Sequence, residues 1–309
     1  MKNCFGVDIG GTSVKMGLFQ EDGKLIEKWS IKTRTECEGE QILPDVAASI
    51  QQKMKEYGLL PNDVQGVGLG IPAPVKEDGI VRGTANLGWK YKEVKKELES
   101  LTGLTVKTGN DANMAALGEM WLGAGKGHEN LVMVTLGTGV GGAIIFDGKC
   151  VSGGHGAAGE IGHVCVNEKE TQVCGCGRKG CLEQYASATG IARMARQKIS
   201  REKTNSILKE NDVNAKKVFD AVKAGDKMAK AVAEEFGKYL GYALANIVVV
   251  CDPTIIIIGG GVSKAGEILL PYIEKPFREK VFFANEKTEF ALAKLGNDAG
   301  ICGAARLVL

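Results

Sequence analysis

Two glycine hairpins lying far apart in the chain constrain its fold most. The first bend, Asp8-Ile9-Gly10-Gly11-Thr12, joins strand-like residues 4–9 to 14–20, and a turn at Glu21-Asp22-Gly23-Lys24 leads into a third strand at 25–31. The second, Gly137-Thr138-Gly139, joins 130–135 to 140–146 and is followed by Asp147-Gly148. Glycine and threonine recur in the bend each time, a weak internal repeat that predicts two similar domains, each presenting one hairpin. Glycines permit positive φ and let backbone N–H groups approach an anion. A glycine hairpin with no ligand is the plain reading of each, and a phosphate cradle is the functional one.

Length agrees with two cores: 309 residues exceed what one hydrophobic core fills efficiently. Between and after the hairpins, helix and strand patterns alternate. Residues 41–57, 91–101 and 112–122 read as helices, and 64–71 and 104–108 as strands, with 84–89 a polar loop. Residues 185–198, 215–224 and 227–250 follow as helices, 201–214 as a polar connector, and Thr254 to Ile258 as a buried strand. Gly259-Gly260-Gly261 then precedes a helix beginning near Ser263, with further helix at 271–282, a strand at 289–295 and a terminal helix at 299–309. This is a mixed α/β pattern with helices packed on sheets.

A net charge of +2 gives no long-range pull on polyanions, so nucleic acid is not expected as a partner. No stretch reaches the length of a membrane span, and the N-terminus lacks a signal-peptide pattern, so a cytoplasmic protein is expected. Nine cysteines, three of them within Cys174 to Cys181, suit a reduced compartment and a metal site. Cys174, Cys176 and Cys181 with His163 upstream make a Cys3His set, which closes a tetrahedron and predicts structural Zn2+. Cys4, Cys37, Cys150, Cys165, Cys251 and Cys302 read as small buried apolar residues, and His128 and His155 as ordinary surface or loop histidines. Asp111 stands between a short strand and a helix, where ligands bind in open α/β sheets; helix capping is its structural alternative.

Together, DIGGT at Asp8 to Thr12, NDAN at Asn110 to Asn113, LGTGVGG at Leu136 to Gly142, EIGH at Glu160 to His163, CGCGRKGCLE at Cys174 to Glu183 and GGGVS at Gly259 to Ser263 resemble the ROK family of sugar kinases and repressors. The resemblance is closest to its bacterial glucokinases. It implies two ribonuclease-H-like domains of the actin and hexokinase superfamily with a cleft between them, residues 1–118 joined by helix 297–309 forming one and residues 119–296 the other. It further implies ATP-dependent phosphorylation of the glucose 6-hydroxyl, with Asp111 as base and Mg2+ on the phosphates. ATP would be held by Asp8, Gly10, Gly11, Thr12 and Lys15, by Gly137, Thr138 and Gly139, and by Gly259, Gly260 and Gly261. Asn86, Asn110, Asp111, Glu160, His163 and Glu183 match the sugar-binding positions. Dimers and tetramers are common in the family. Kinases for N-acetylmannosamine, N-acetylglucosamine, mannose or fructose are the neighbouring expectation. A sugar-responsive repressor is disfavoured because the first strand begins near residue 4, leaving no preceding DNA-binding domain. One departure is Gly70-Ile71-Pro72-Ala73, where the family usually has glycine at the last position.

Overall fold

A computed structural model describes residues 2–76, 78–84, 86–201 and 206–309. The chain divides into two compact units: Met1–Gly127 with Gly148–Ala158 and Lys294–Leu309, and His128–Asp147 with Gly159–Ala293.

In the first unit, β1 (Asn3–Ile9), β2 (Ser13–Gln20) and β3 (Leu25–Lys32) form an antiparallel meander. Helix α1 (Ile42–Glu56) crosses to β4 (Val64–Ile71), which pairs parallel with β1. Short strands β5 (Ile80–Val81) and β6 (Lys92–Glu93) pair antiparallel. That pairing occupies residues expected to start a helix at Tyr91, so α2 begins later (Val94–Thr102). Next come β7 (Val106–Asn110), parallel to β4, and α3 (Asp111–Leu122). The sheet order is β3-β2-β1-β4-β7. Phe5, Val7, Ile9, Leu69 and Val106 bury their side chains in this unit's core with Leu43, Val46 and Ile50 of α1.

The second unit repeats the scheme. Strands β8 (Leu131–Leu136) and β9 (Val140–Phe146) form an antiparallel hairpin, after which β10 (Lys149–Cys150) lies in the first unit's inserted segment. Helices α4 (Glu183–Ala186), α5 (Ala188–Arg201), α6 (Ala215–Lys223) and α7 (Lys227–Cys251) follow. The expected single helix over 185–198 is broken at Ser187. Its backbone is extended, with ψ 164°, and its hydroxyl accepts from the Gly190 N–H at 3.0 Å, capping a new helix. Residues 202–205 of the expected connector lie outside the described residues, and a 3-10 turn occupies Glu210–Asp212.

Strand β11 (Ile255–Gly259) is buried along its whole length and runs parallel to both β8 and β12 (Glu289–Leu292). Two covered faces explain its unbroken isoleucine run. The helix expected near Ser263 is instead two 3-10 turns, separated by Gly266 at φ +85°, before α8 (Leu270–Lys280). Ile256 and Ile258 of β11 pack with Phe236, Leu240 and Leu244 of α7 and with Ile273 and Phe277 of α8.

Helix α9 (Ala299–Val308) returns to the first unit. It approaches so closely that a methyl group on Gly68 would collide with the Ala304 carbonyl, and one on Gly303 with the Met114 carbonyl. Among the described residues, no helix is long and apolar enough to cross a membrane.

Cys4 and Cys302 are buried as expected, and Cys150 and Cys251 partly so. Cys37 and Cys165 are exposed, contrary to expectation. Cys37 has φ +51° at a surface 3-10 turn, and Cys165 lies in the loop before the cysteine cluster. His155 is exposed, while His128 Nδ1 lies 2.8 Å from the Thr254 hydroxyl.

Candidate active site

The predicted site residues fall in both units. In the first, Asp8 sits near the end of β1 opposite Lys15 of β2. Its side chain is 21% exposed, and the Lys15 ammonium lies 3.8 Å from Oδ2. Lys15 also donates to the Asn297 carbonyl at 3.3 Å. Gly300 of α9 and Gly70 of β4 wall the carboxylate in: methyl groups there would lie 2.7 Å from Asp8 Cγ and 3.6 Å from Oδ1. Burial pushes the Asp8 pKa up from 3.8, Lys15 pulls it down, and the charge of Asp111 pushes it up again. Two carboxylates that feel each other in a partly buried place suit a cation, which would relieve both burial cost and repulsion.

The first glycine bend is braced through its carbonyls. The Gly10 N–H donates to the Ser13 carbonyl at 3.1 Å, while the Thr33 hydroxyl and N–H donate to Gly10 and Thr12 oxygens at 2.6 and 3.1 Å. The Gly11 N–H has no acceptor among the described residues, as an anion cradle requires. Asn86 packs on Gly11, whose missing methyl would lie 3.1 Å from Asn86 Cβ.

Helix α3 opens on Asn110 and Asp111. Asn110 is the cap: its side-chain oxygen accepts from Ala112 and Asn113 N–H groups at 2.9 and 3.3 Å, and its amide donates to the Ala73 carbonyl at 3.3 Å. The departure at Ala73 therefore touches the cap, since this buried residue's carbonyl orients Asn110. Asp111 becomes the first helical residue, with Oδ1 2.9 Å from the Ala112 nitrogen, where the helix dipole favours a carboxylate.

In the second unit, the Gly137–Gly139 bend closes through Gly137 N–H donating to Gly139 O at 2.9 Å. The start of α5 holds it from outside, with Ala188 N–H donating to Gly137 O and the Thr189 hydroxyl to Thr138 O, both at 2.8 Å. Gly260 has φ +85°, and a methyl there would lie 2.5 Å from the Leu136 carbonyl. The fold thus brings Gly259–Gly261 against the strand that enters the second bend. Ser263 donates to Gly260 O at 2.8 Å.

Glu160 is exposed and precedes the 3-10 turn Ile161–His163. One ring nitrogen of His163 and the Cys174, Cys176 and Cys181 sulfurs all lie within 4.8 Å of one another. Cys176 and Cys181 sulfurs are 3.6 Å apart, and Cys174 Sγ is 4.0 Å from His163 Nδ1. Tetrahedral Zn–S bonds of about 2.3 Å put neighbouring sulfurs about 3.8 Å apart, so the set fits zinc. A hydrogen bond from the Arg178 backbone leads in pulling the Cys176 thiol down to about 6, while burial leads in pushing Cys181 up to about 12.

Glu183, first residue of α4, joins this cluster to the glycine bend. Its Oε2 accepts from the Val140 N–H at 2.9 Å, and its Oε1 lies 3.7 Å from Cys174 Sγ.

Sequence reasoning missed the anchor of the cysteine loop. Glu170 accepts from the Tyr185 hydroxyl at 2.6 Å and from Arg193 at 2.8 Å; against burial, these and the Gln172 N–H hold its pKa at about 2. Tyr185 stacks on Tyr239 with ring centroids 4.0 Å apart. No motif marks these residues, because they meet across a helix break.

The ROK family model matches residues 4–309. A glucokinase of Halalkalibacterium halodurans is 41% identical over 98% of this chain and 94% of its own. A glucokinase of Thermotoga maritima is 38% identical over 98% and 96%. The structure of a ROK family glucokinase from Streptomyces griseus in complex with glucose and AMPPNP superposes with a TM-score of 0.75, at 34% identity and covering 99% and 98% of the two chains.

Proposed function

The chain belongs to the ROK family and has the actin/hexokinase fold, and from that premise we propose that it is a glucokinase transferring the γ-phosphoryl group of ATP to the 6-hydroxyl of glucose. The observation that carries this reading is the opening of α3, where Asn110 performs the capping and Asp111 stands at the first helical position beside the charge of Asp8. Phosphoryl transfer needs little covalent chemistry from the protein; it needs an aligned alcohol, an acceptor for its proton and neutralised phosphate charge. Asp111 takes the proton of the attacking hydroxyl as the bond to phosphorus forms.

Asn86, Asn110, Glu160, His163 and Glu183 hold the hexose hydroxyls, since carboxylates and amides can each satisfy two ring hydroxyls. Gly10, Gly11 and Thr12 with Lys15, and Gly137, Thr138 and Gly139 with Gly259, Gly260 and Gly261, hold the nucleotide. Mg2+, when bound near Asp8, would neutralise phosphate charge. Zn2+ on His163 Nδ1, Cys174, Cys176 and Cys181 would fix the loop that carries His163 and leads to Glu183, leaving Nε2 for the sugar. A cytoplasmic place in glycolysis and a homodimeric or homotetrameric state belong to the same proposal.

A coupled assay across hexoses tests the reading. Glucose should be turned over faster than N-acetylmannosamine, N-acetylglucosamine, mannose or fructose at equal concentration. Faster turnover of any of these would reassign the substrate.

A further inference from the structure

The first unit contains a cavity of about 590 Å3 that none of the residues assigned to sugar, nucleotide or metal lines. Its volume lies in the range of small-molecule sites. Five cations line it: Lys76 after β4, Lys95 of α2, Lys107 of β7, Lys149 of β10 and Arg306 of α9. They come from five separate stretches, so the fold, and no run of basic sequence, gathers them on a concave surface.

No carboxylate side chain is among the lining residues, and among the described residues none of the five cations pairs with one. Exposed lysines elsewhere in this chain do find partners, as Lys28 does with Asp298 and Lys90 with Glu38. Gathered like charges repel one another, and a bound anion relieves that repulsion. The remaining wall is partly apolar, supplied by Met114, Leu117 and Leu307, which suits a carbon skeleton attached to that anion.

We propose that this cavity is a binding site for a small organic phosphate, separate from the catalytic residues. A sugar phosphate and a nucleoside monophosphate share the chemistry that the five cations recognise. The site adjoins Asn110 and Asp111 in the chain, because Thr108 and Gly109 at the end of β7 and Asn113 and Met114 in the first turn of α3 contribute to its wall.

The test is calorimetric titration of the full chain at neutral pH, without ATP or glucose, by glucose 6-phosphate, AMP and inorganic phosphate. At least one organic phosphate should bind with Kd at or below about 1 mM. Lys107→Glu and Lys149→Glu, both at exposed positions, should each weaken it about tenfold while melting cooperatively and phosphorylating glucose as wild type does. A repeat titration with the catalytic site saturated by glucose and a non-hydrolysable ATP analogue should leave this binding unchanged, which separates it from occupancy of that site. The proposal is overturned if neither organic phosphate binds, if binding ignores both charge reversals, if it is lost when the catalytic site is saturated, or if inorganic phosphate binds as tightly. Because binding is read directly, failure here leaves the kinase reading standing, and the reverse also holds.

Discussion

Replacing Gly139 by alanine should separate the glycine bend from Glu183. A methyl group at Gly139 would collide with Glu183 Oε2 and lie 3.1 Å from its Cδ. The obstructed atom ends a flexible side chain, so the carboxylate turns away and the backbone stays. What is lost is the hydrogen bond from the Val140 N–H, now 2.9 Å long. A hydrogen bond to a charged group contributes ~1.5–3 kcal/mol. Thermal unfolding should therefore begin several degrees lower, at ~2–4 °C per kcal/mol for a domain of this size. If Glu183 also holds hexose hydroxyls, the displaced carboxylate should raise the KM for glucose by roughly tenfold to a hundredfold, with a smaller change in kcat. A double-mutant cycle isolates the cause: in a Glu183→Ala background, Gly139→Ala should cost no more than about 0.5 kcal/mol. An equal cost in both backgrounds, or a raised KM for ATP with that for glucose unchanged, would refute the reasoning.

Asp111→Ala should lower kcat by roughly 10²–10⁴-fold, the usual scale of general-base catalysis, while calorimetry shows glucose still bound; retained turnover would remove Asp111 from the mechanism. Purified protein should hold about one zinc per chain by plasma mass spectrometry, and stripping it or substituting Cys176→Ser should lower glucose affinity or the unfolding temperature. A zinc-free chain with normal activity and stability would count against the cluster's supporting role. Burial raises the Asp8 pKa, so the stability this group contributes is present below its unfolded value of 3.8 and lost as pH rises through its folded value. In Mg2+-free buffer, Asp8→Asn should then unfold at a higher temperature than wild type at neutral pH, with the gain vanishing in acid; a less stable variant at neutral pH would contradict the sign. Fully buried Glu119 accepts from Ala124, Lys294 and Leu295 N–H groups at 2.8, 3.1 and 2.7 Å. Glu119→Ala leaves those donors unpaired and should cost ~3–5 kcal/mol in denaturant unfolding. A loss under about 1 kcal/mol would show that they find other acceptors.

Much of this protein could be read before folding, wherever chemistry depends on neighbours in sequence. Glycine and threonine in two bends predicted the repeated hairpins, and an unbroken isoleucine run predicted a strand covered on both faces. Three cysteines on a tight turn predicted the thiol cluster, because their spacing there is local; only His163 had to be brought from the preceding loop. Tertiary structure decided what depends on long-range approach. Whether Asn110 or Asp111 caps α3 turned on the Ala73 carbonyl, supplied by a loop after another strand. The bond from Val140 to Glu183 spans a whole cysteine loop, and no local pattern encodes it. Packing of α9 required bare glycines on β4 and on itself, a demand visible only once backbones meet. Five cations around one cavity are five unremarkable surface residues in the sequence. Their meaning comes from the fold, because charge recognises a ligand by its arrangement in space, and order along the chain does not set that arrangement.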